Sequence, residues 1–236
     1  MQNQRSYLLI GNSRWHWAIQ QTDTWFFFHT QPDLHKINTL ANSLTAWAAV
    51  GETPKSLLQN TDKRIEISDV PLQKLPTWLG IDRALAGWGA FIKAKSSHSL
   101  SAGILIADAG TVLSITRITA QGEFAGGQLI AGLHLQLVAM ANGTQNLRNP
   151  GPPSTNPEPF PITTAEAMQR GCIQALVGAL ITAQKEANMP IWLCGGDAPL
   201  LLQELRARNI DVIHHPNLVL EGIVDLQHKL NQGQGH

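Results

Sequence analysis

The sequence predicts a mixed α/β protein made of two similar halves, residues 1–100 and 101–236. Three observations carry this reading. The order strand, strand, strand, helix occurs once in each half. An apolar run ending in a glycine turn stands at equivalent places, as Leu9-Ile10-Gly11-Asn12-Ser13 and as Asp108-Ala109-Gly110-Thr111. Apolar residues make up 43% of the 236 and charged residues only 14%, so each half can bury a core. Two such domains side by side imply a cleft between them, the usual place for a ligand.

The first half opens with Tyr7–Ile10, a short apolar run entering the Gly11-Asn12 turn. Trp15, Trp17 and Ile19 alternate with His16 and Ala18, the period of a second strand, and the aromatic-rich stretch Thr24–Thr30 makes a third. Short turns between the three suggest a meander. A helix is expected over Thr39–Val50 and a short strand near Ser56–Leu58. Ile81, Leu85, Trp88 and Ile92 are spaced by four, three and four and define one face of a helix beginning near Asp82. Ser96–Gly103, small and polar, reads as a linker.

The pattern then returns. Ile104–Asp108 is a strand, Leu113, Ile115 and Ile118 mark a second, and Glu123–Ile130 with its Gly126-Gly127 pair a third. Leu133, Leu137 and Met140 form a helical face. Asn149–Pro161 holds six prolines and is expected as an exposed loop. Thr163 and Glu166 have the spacing of a capping box, starting a helix whose stripe is Met168, Cys172, Ala175, Ala179 and Ala183. Ile191–Cys194 is a strand that ends in Gly195-Gly196-Asp197. Helices over Pro199–Arg208 and near Leu220–Leu230 close the chain.

Composition narrows the function. Lys+Arg and Asp+Glu are both 17, and this balance favours neither nucleic acid nor an anionic membrane as a partner. The longest apolar runs fall far short of the roughly 20 residues of a membrane span. The polar start has no secretory core, and Cys172 and Cys194 lie in different elements, so a cytoplasmic, reduced protein is expected. No P-loop, dinucleotide fingerprint or His-Glu-x-x-His motif is present.

Four segments carry candidate chemistry. The Gly11-Asn12-Ser13 turn offers backbone N–H groups, an amide and a hydroxyl to a phosphate, although Asn and Gly are also the default hairpin residues. Asp108, at the end of an apolar strand, must be paired, capped or bound to a cation. Gly195-Gly196-Asp197-Ala198 places backbone donors at a helix start. Gly80-Ile81-Asp82-Arg83 puts an acid and a guanidinium at another, where Asp82 also complements the helix dipole. His214-His215 reads as structural.

In their order along the chain these segments resemble the type III pantothenate kinases of the actin/Hsp70/sugar-kinase superfamily. The resemblance runs from Gly11-Asn12-Ser13 through Gly80-Ile81-Asp82-Arg83 with Gly89-Ala90, and Asp108-Ala109-Gly110-Thr111 with Gly126-Gly127 and Gly132. It continues through Thr164, Ala167-Met168 and Gly171 and through Gly195-Gly196-Asp197-Ala198, and ends at Leu218-Val219-Leu220-Glu221-Gly222. It implies two ribonuclease H-like domains, the actin-like ATPase duplication, with the active site in the cleft between them. It also implies a cytoplasmic homodimer that phosphorylates pantothenate with ATP and Mg²⁺, the first step of coenzyme A synthesis.

Residue by residue, the resemblance makes Leu9, Ile10, Gly11, Asn12, Ser13, Arg14 and Thr111 the ATP contacts. Asp82 becomes the general base. Gly80, Ile81, Asp82, Arg83 and Thr164 become the pantothenate contacts, and Asp108 the ligand of a monovalent cation, K⁺ or NH₄⁺. Three positions depart from the family pattern. Leu9 stands where an acid associated with the divalent metal is usual. His16 stands where Lys is frequent, making one charge near the phosphates pH-dependent. The only tyrosine is Tyr7, so the aromatic substrate contact is absent or made by another residue such as Trp78. A second reading of the same residues is a nucleotide- or pantothenate-binding protein with weak turnover.

Overall fold

The alternation in the first forty residues produces three antiparallel strands, Ser6–Ile10 (β1), Trp15–Gln21 (β2) and Thr24–Thr30 (β3). The structure is a computed structural model that describes residues 5–40, 43–59, 61–98, 100, 102–153, 155 and 157–233. After a short helix at Leu34–Leu40 (α1), the strand Leu44–Ala49 (β4) returns parallel to β1, giving the order β3-β2-β1-β4. Leu8, Ile10, Trp15, Trp17, Leu44 and Trp47 fill one side of this sheet, closed by Ile37 and Leu57. The other side carries two helices, Ile81–Ser96 (α2) and Leu218–Gly233 (α6). Ala46 and Ala48 alternate with Trp47 on β4, and α2 packs against that strand while α6 packs on β1 and β2.

Two expectations fail in this stretch. Thr39–Val50 is not a helix: α1 ends at Leu40, and the run from Leu44 is β4. A short apolar run buried on both faces has no periodicity to separate strand from helix. Ser56–Leu58 is turn, not strand, and Leu57 is buried as a plug for the sheet's apolar side.

The second set of elements repeats the first. Ile104–Ala109 (β5), Val112–Ile118 (β6) and Phe124–Ala131 (β7) are followed by helices Leu133–Gly143 (α3) and Thr164–Ala187 (α4). Strand Ile191–Cys194 (β8), helix Ala198–Arg206 (α5) and strand Val212–His214 (β9) complete a sheet of order β7-β6-β5-β8-β9. β5 pairs antiparallel with β6 and parallel with β8, as β1 does with β2 and β4. The internal repeat is therefore one of hydrogen-bonding topology, with β9 added. Within Asn149–Pro161 the described residues form neither helix nor strand.

The chain divides into two compact units: Met1–Ser99, Gly122–Phe124 and Asn217–His236 form one, and Leu100–Gln121 with Ala125–Pro216 the other. A single division near residue 100 thus differs from this partition at Gly122–Phe124 and at α6, which packs along α2 of the first unit. The helices cross at two glycines. A Cβ on Gly222 would lie 2.1 Å from the Leu85 carbonyl oxygen, and one on Gly89 would lie 2.8 Å from that of Leu218.

Thr163 caps α4, and Glu166 reaches back to the Thr163 hydroxyl. The Thr163 hydroxyl accepts the Glu166 N–H at 3.3 Å and donates to the Glu166 carboxylate at 2.6 Å. Its buried face differs from the expected stripe. Met168, Cys172, Ile173, Leu176, Val177, Leu180 and Ala183 face the core, while Ala175 is exposed and Ala179 half-buried. The alanines fit the helical period but bury less apolar area than the leucines one position further on.

The junction of α4 and α5 is electrostatic. Arg170 Nη1 donates to Glu204 Oε1 at 2.8 Å and Arg208 Nη1 to Glu204 Oε2 at 2.6 Å. Burial works against the Glu204 carboxylate, but the hydrogen bonds and charges of the two arginines outweigh it and hold its pKa below the ordinary value. A depressed carboxyl stabilises the fold above its unfolded pKa of about 4.3, and the contribution is lost as pH falls through the folded value. Glu204→Gln is expected to cost about 2 kcal/mol at pH 7, since it leaves two guanidinium groups without their counter-charge. Urea unfolding at pH 7 and pH 3 checks this, and a deficit that persists undiminished at pH 3 refutes the assignment.

Candidate active site

In the first unit the carboxyl ends of the parallel strands β1 and β4 meet the start of α2. β1 ends in the Gly11 turn, closed by the Gly11 N–H donating to the Arg14 carbonyl at 3.0 Å. Val50 and Gly51 N–H groups, just past β4, both donate to the Ile10 carbonyl, at 2.9 and 3.2 Å. Gly51 lies against this turn so closely that a Cβ there would be 2.5 Å from the Gly11 carbonyl oxygen. Asn12, Ser13 and Arg14 are exposed on the turn, whereas Leu9 and Ile10 are buried within β1. Leu9 lies opposite His16 on β2 and Ala48 on β4.

Asp82 occupies the first turn of α2. Its Oδ1 accepts the Arg83 N–H at 2.8 Å and lies 2.5 Å from where a Cβ on Gly80 would be, so glycine at the N-cap makes room for the carboxylate. That same point is 3.5 Å from Val50 Cγ1, which ties the start of α2 to the end of β4. Burial raises the Asp82 pKa against the lowering effects of the Arg83 N–H and guanidinium. Arg83 is itself 8% exposed, an unusual degree of burial for arginine. Burial lowers its pKa and the Asp82 charge raises it.

His16 stands behind the glycine turn. Its Nε2 is 3.2 Å from the point a Gly11 Cβ would occupy. Its Nδ1 is 2.8 Å from Nδ1 of His29, its cross-strand neighbour on β3. Burial, His29 and Arg14 lower the His16 pKa to about 4, so the ring is neutral at pH 7. Trp78 is 72% exposed and meets Phe124 edge-to-face.

The second unit builds the matching arrangement at the carboxyl ends of β5 and β8. Asp108, half-buried near the end of β5, pairs with Ser114 and Cys194 in register. The Asp197 N–H donates to the Ala109 carbonyl at 2.9 Å and the Gly132 N–H to that of Thr111 at 3.0 Å. Gly195, at φ +95°, would place a Cβ 2.5 Å from both the Ala109 carbonyl oxygen and Asp108 Oδ1, so no other residue fits there. A Cβ on Gly132, the N-cap of α3, would collide with the carbonyl oxygens of Gly110 and Thr111. Asp108, Gly110, Thr111, Gly132 and Gly195 through Asp197 therefore form one cluster, at the strand ends where open α/β sheets bind ligands.

Thr164 is exposed at the first position of α4, and the cap is made by Thr163. Gly51 does not stand out in the sequence, because the segment before it has no period that marks a strand. Its signal is positional: it follows β4 as Gly195 follows β8, and each lies against the carbonyl of the preceding glycine turn. Among the described residues, no group of three or more His, Cys, Asp and Glu side chains is placed to hold a metal ion.

Comparison with known proteins agrees with this architecture. A solved structure described as a conserved putative Baf family transcriptional activator from Campylobacter jejuni superposes with a TM-score of 0.62 at 18% identity. It covers 96% of this chain and 99% of that one. A putative 2-dehydro-3-deoxygalactonokinase from Sinorhizobium meliloti superposes at 0.61 with 12% identity and the same coverage. At these identities the likeness is one of fold, that of the actin-like ATPases and sugar kinases. Sequence similarity goes further. The type III pantothenate kinase of Synechococcus elongatus is 32% identical over 241 residues, spanning 93% of this chain and 94% of that protein. Residues 61–185, which run from before the Asp82 turn through Asp108 to the end of α4, match the type III pantothenate kinase family as a whole, and the chain belongs to that family.

Proposed function

We propose that this chain transfers the γ-phosphoryl group of ATP to the primary hydroxyl of pantothenate, giving 4′-phosphopantothenate and ADP. The observation that carries the reading is the Asp82–Arg83 pair, an acid and a guanidinium both withdrawn from water beside a glycine turn, in a chain of this family. Asp82 accepts the hydroxyl proton as the oxygen attacks phosphorus and the bond from phosphorus to the ADP oxygen breaks. Arg83 anchors the polar end of pantothenate, and Thr164 adds a hydroxyl contact. The Gly11–Arg14 turn and Thr111 hold the phosphates. A coupled assay on purified protein with ATP, Mg²⁺ and K⁺, comparing pantothenate with other small hydroxy acids, tests this, and phosphorylation of another acid in preference to pantothenate overturns it.

Arg83→Lys keeps the charge and loses the planar fork. The KM for pantothenate is expected to rise about tenfold while that for ATP changes little. Steady-state kinetics with each substrate varied in turn decide, and an effect confined to ATP moves Arg83 to the phosphate side.

The family implies ATP with a divalent metal. The residues near the Gly11 turn do not fit a resident divalent ion, because Leu9 offers no oxygen and is buried. In this reading the divalent ion comes with ATP. A monovalent cation does fit Asp108, a half-buried carboxylate among backbone carbonyls at the end of β5. Such an ion supplies positive charge opposite phosphate oxygens. Replacing K⁺ by Na⁺ or Tris is expected to lower turnover, and Asp108→Asn to weaken that dependence. Equal rates in all three salts remove the role.

The same reading makes the protein a cytoplasmic homodimer. Among the described residues no helix is long and apolar enough to cross a membrane. Light scattering tests the dimer, and a mass near that of one chain refutes it.

A further inference from the structure

We propose that His29 is a positioning residue for nucleotide binding, holding His16 in the tautomer that presents a neutral Nε2–H to the Gly11 turn. The inference rests on reading that turn as the phosphate site. Two Nδ1 atoms 2.8 Å apart share one proton, so one ring donates and the other accepts. When His29 donates, the His16 proton is on Nε2, the atom beside Gly11. A phosphate oxygen in the turn then meets a donor. In the opposite tautomer it meets a lone pair, so an anion selects the first arrangement.

The surroundings favour a neutral donor over a cation. His16 is half-buried, and the charged or titratable neighbours that act on it are Arg14 and His29. On the β1 side Leu9 stands opposite it, and Gly11, just past the strand, lies beside its Nε2. Positive charge for the phosphates falls to Arg14, exposed on the turn itself. His29 is exposed on β3 and contributes nothing to the apolar core, so its place opposite His16 is explained by the shared proton.

The test compares His29→Asn, which keeps a polar group at the Nδ1 position, with His29→Phe, which keeps the ring shape and removes it. Binding of Mg·ATP is measured by calorimetry without pantothenate, and steady-state kinetics are measured with both substrates. His29→Phe is expected to weaken Mg·ATP binding and raise the KM for ATP about tenfold, the size of one hydrogen bond to a charged group. The KM for pantothenate should stay within about twofold, and His29→Asn should behave nearly as the parent protein. Two-bond ¹H–¹⁵N correlation of the parent protein should show His16 protonated on Nε2 with a non-hydrolysable ATP analogue bound.

A folded His29→Phe variant with unchanged ATP binding overturns the proposal, as does a His16 proton found on Nδ1. If His29→Phe does not fold, His29→Ala is read by the same criteria. Binding of Mg·ATP that depends on His29, in a protein that does not phosphorylate pantothenate, supports the pair and refutes the proposed reaction. Turnover of pantothenate that is indifferent to both substitutions does the reverse.

Discussion

Asp82→Asn is expected to lower turnover by about 10²-fold or more while leaving the protein folded, the loss typical of a missing general base. The amide fits the same space over Gly80 and still accepts the Arg83 N–H, so helix α2 keeps its start. What it cannot do is take a proton. Burial raises the carboxyl pKa in the native state, so the ionised form opposes folding at neutral pH, and the neutral amide removes that cost. The variant should therefore be at least as stable as the parent protein at pH 7, a combination that separates catalytic loss from structural loss. The parent protein adds a second signature. The acid limb of its kcat/KM profile should lie above the ordinary carboxylate range, because Asp82 must lose its proton to act. Near-parental turnover in a folded Asn variant would assign Asp82 to the helix start alone.

The second large effect is on stability. Gly222→Val should destabilise the protein by about 3 kcal/mol or more, at the upper end for overpacked sites. The reason is backbone, not side chain. A Cβ at position 222 would lie 2.1 Å from the Leu85 carbonyl oxygen, and neither helix can yield without separating α2 from α6. Gly222→Ala tests the sharper claim, since alanine raises helix propensity by about 1 kcal/mol and should still destabilise here. Gly178→Ala on α4 is the control. Nothing lies within 4 Å of its Cβ position, so the same exchange there should stabilise by a few tenths to about 1 kcal/mol. Chemical denaturation of the three variants decides, and parental stability in Gly222→Ala would show that α2 and α6 do not depend on this crossing. Because α2 also carries Asp82 and Arg83, loss of the crossing should reduce turnover as well.

Local physics was legible in the sequence wherever one residue's neighbours along the chain decide its conformation. The meander β1-β2-β3, the Gly11 turn, the Thr163–Glu166 cap and the start of α2 at Gly80 all follow from alternation, turn chemistry and spacing over a few residues. The ordered segments also carried the resemblance to the family, because glycines at strand ends and an acid–arginine pair stand in a set order along this chain. β4 was not legible, since a short strand covered on both sides has no exposed face to mark its period. The pairing of Glu204 with Arg170 across two helices, and of His16 with His29 across two strands, joins residues whose spacing in the sequence carries no signal. Gly51 and Gly222 belong to the same class. Each is glycine because another segment's carbonyl oxygen occupies the place of its Cβ, and that neighbour exists only after the chain has folded.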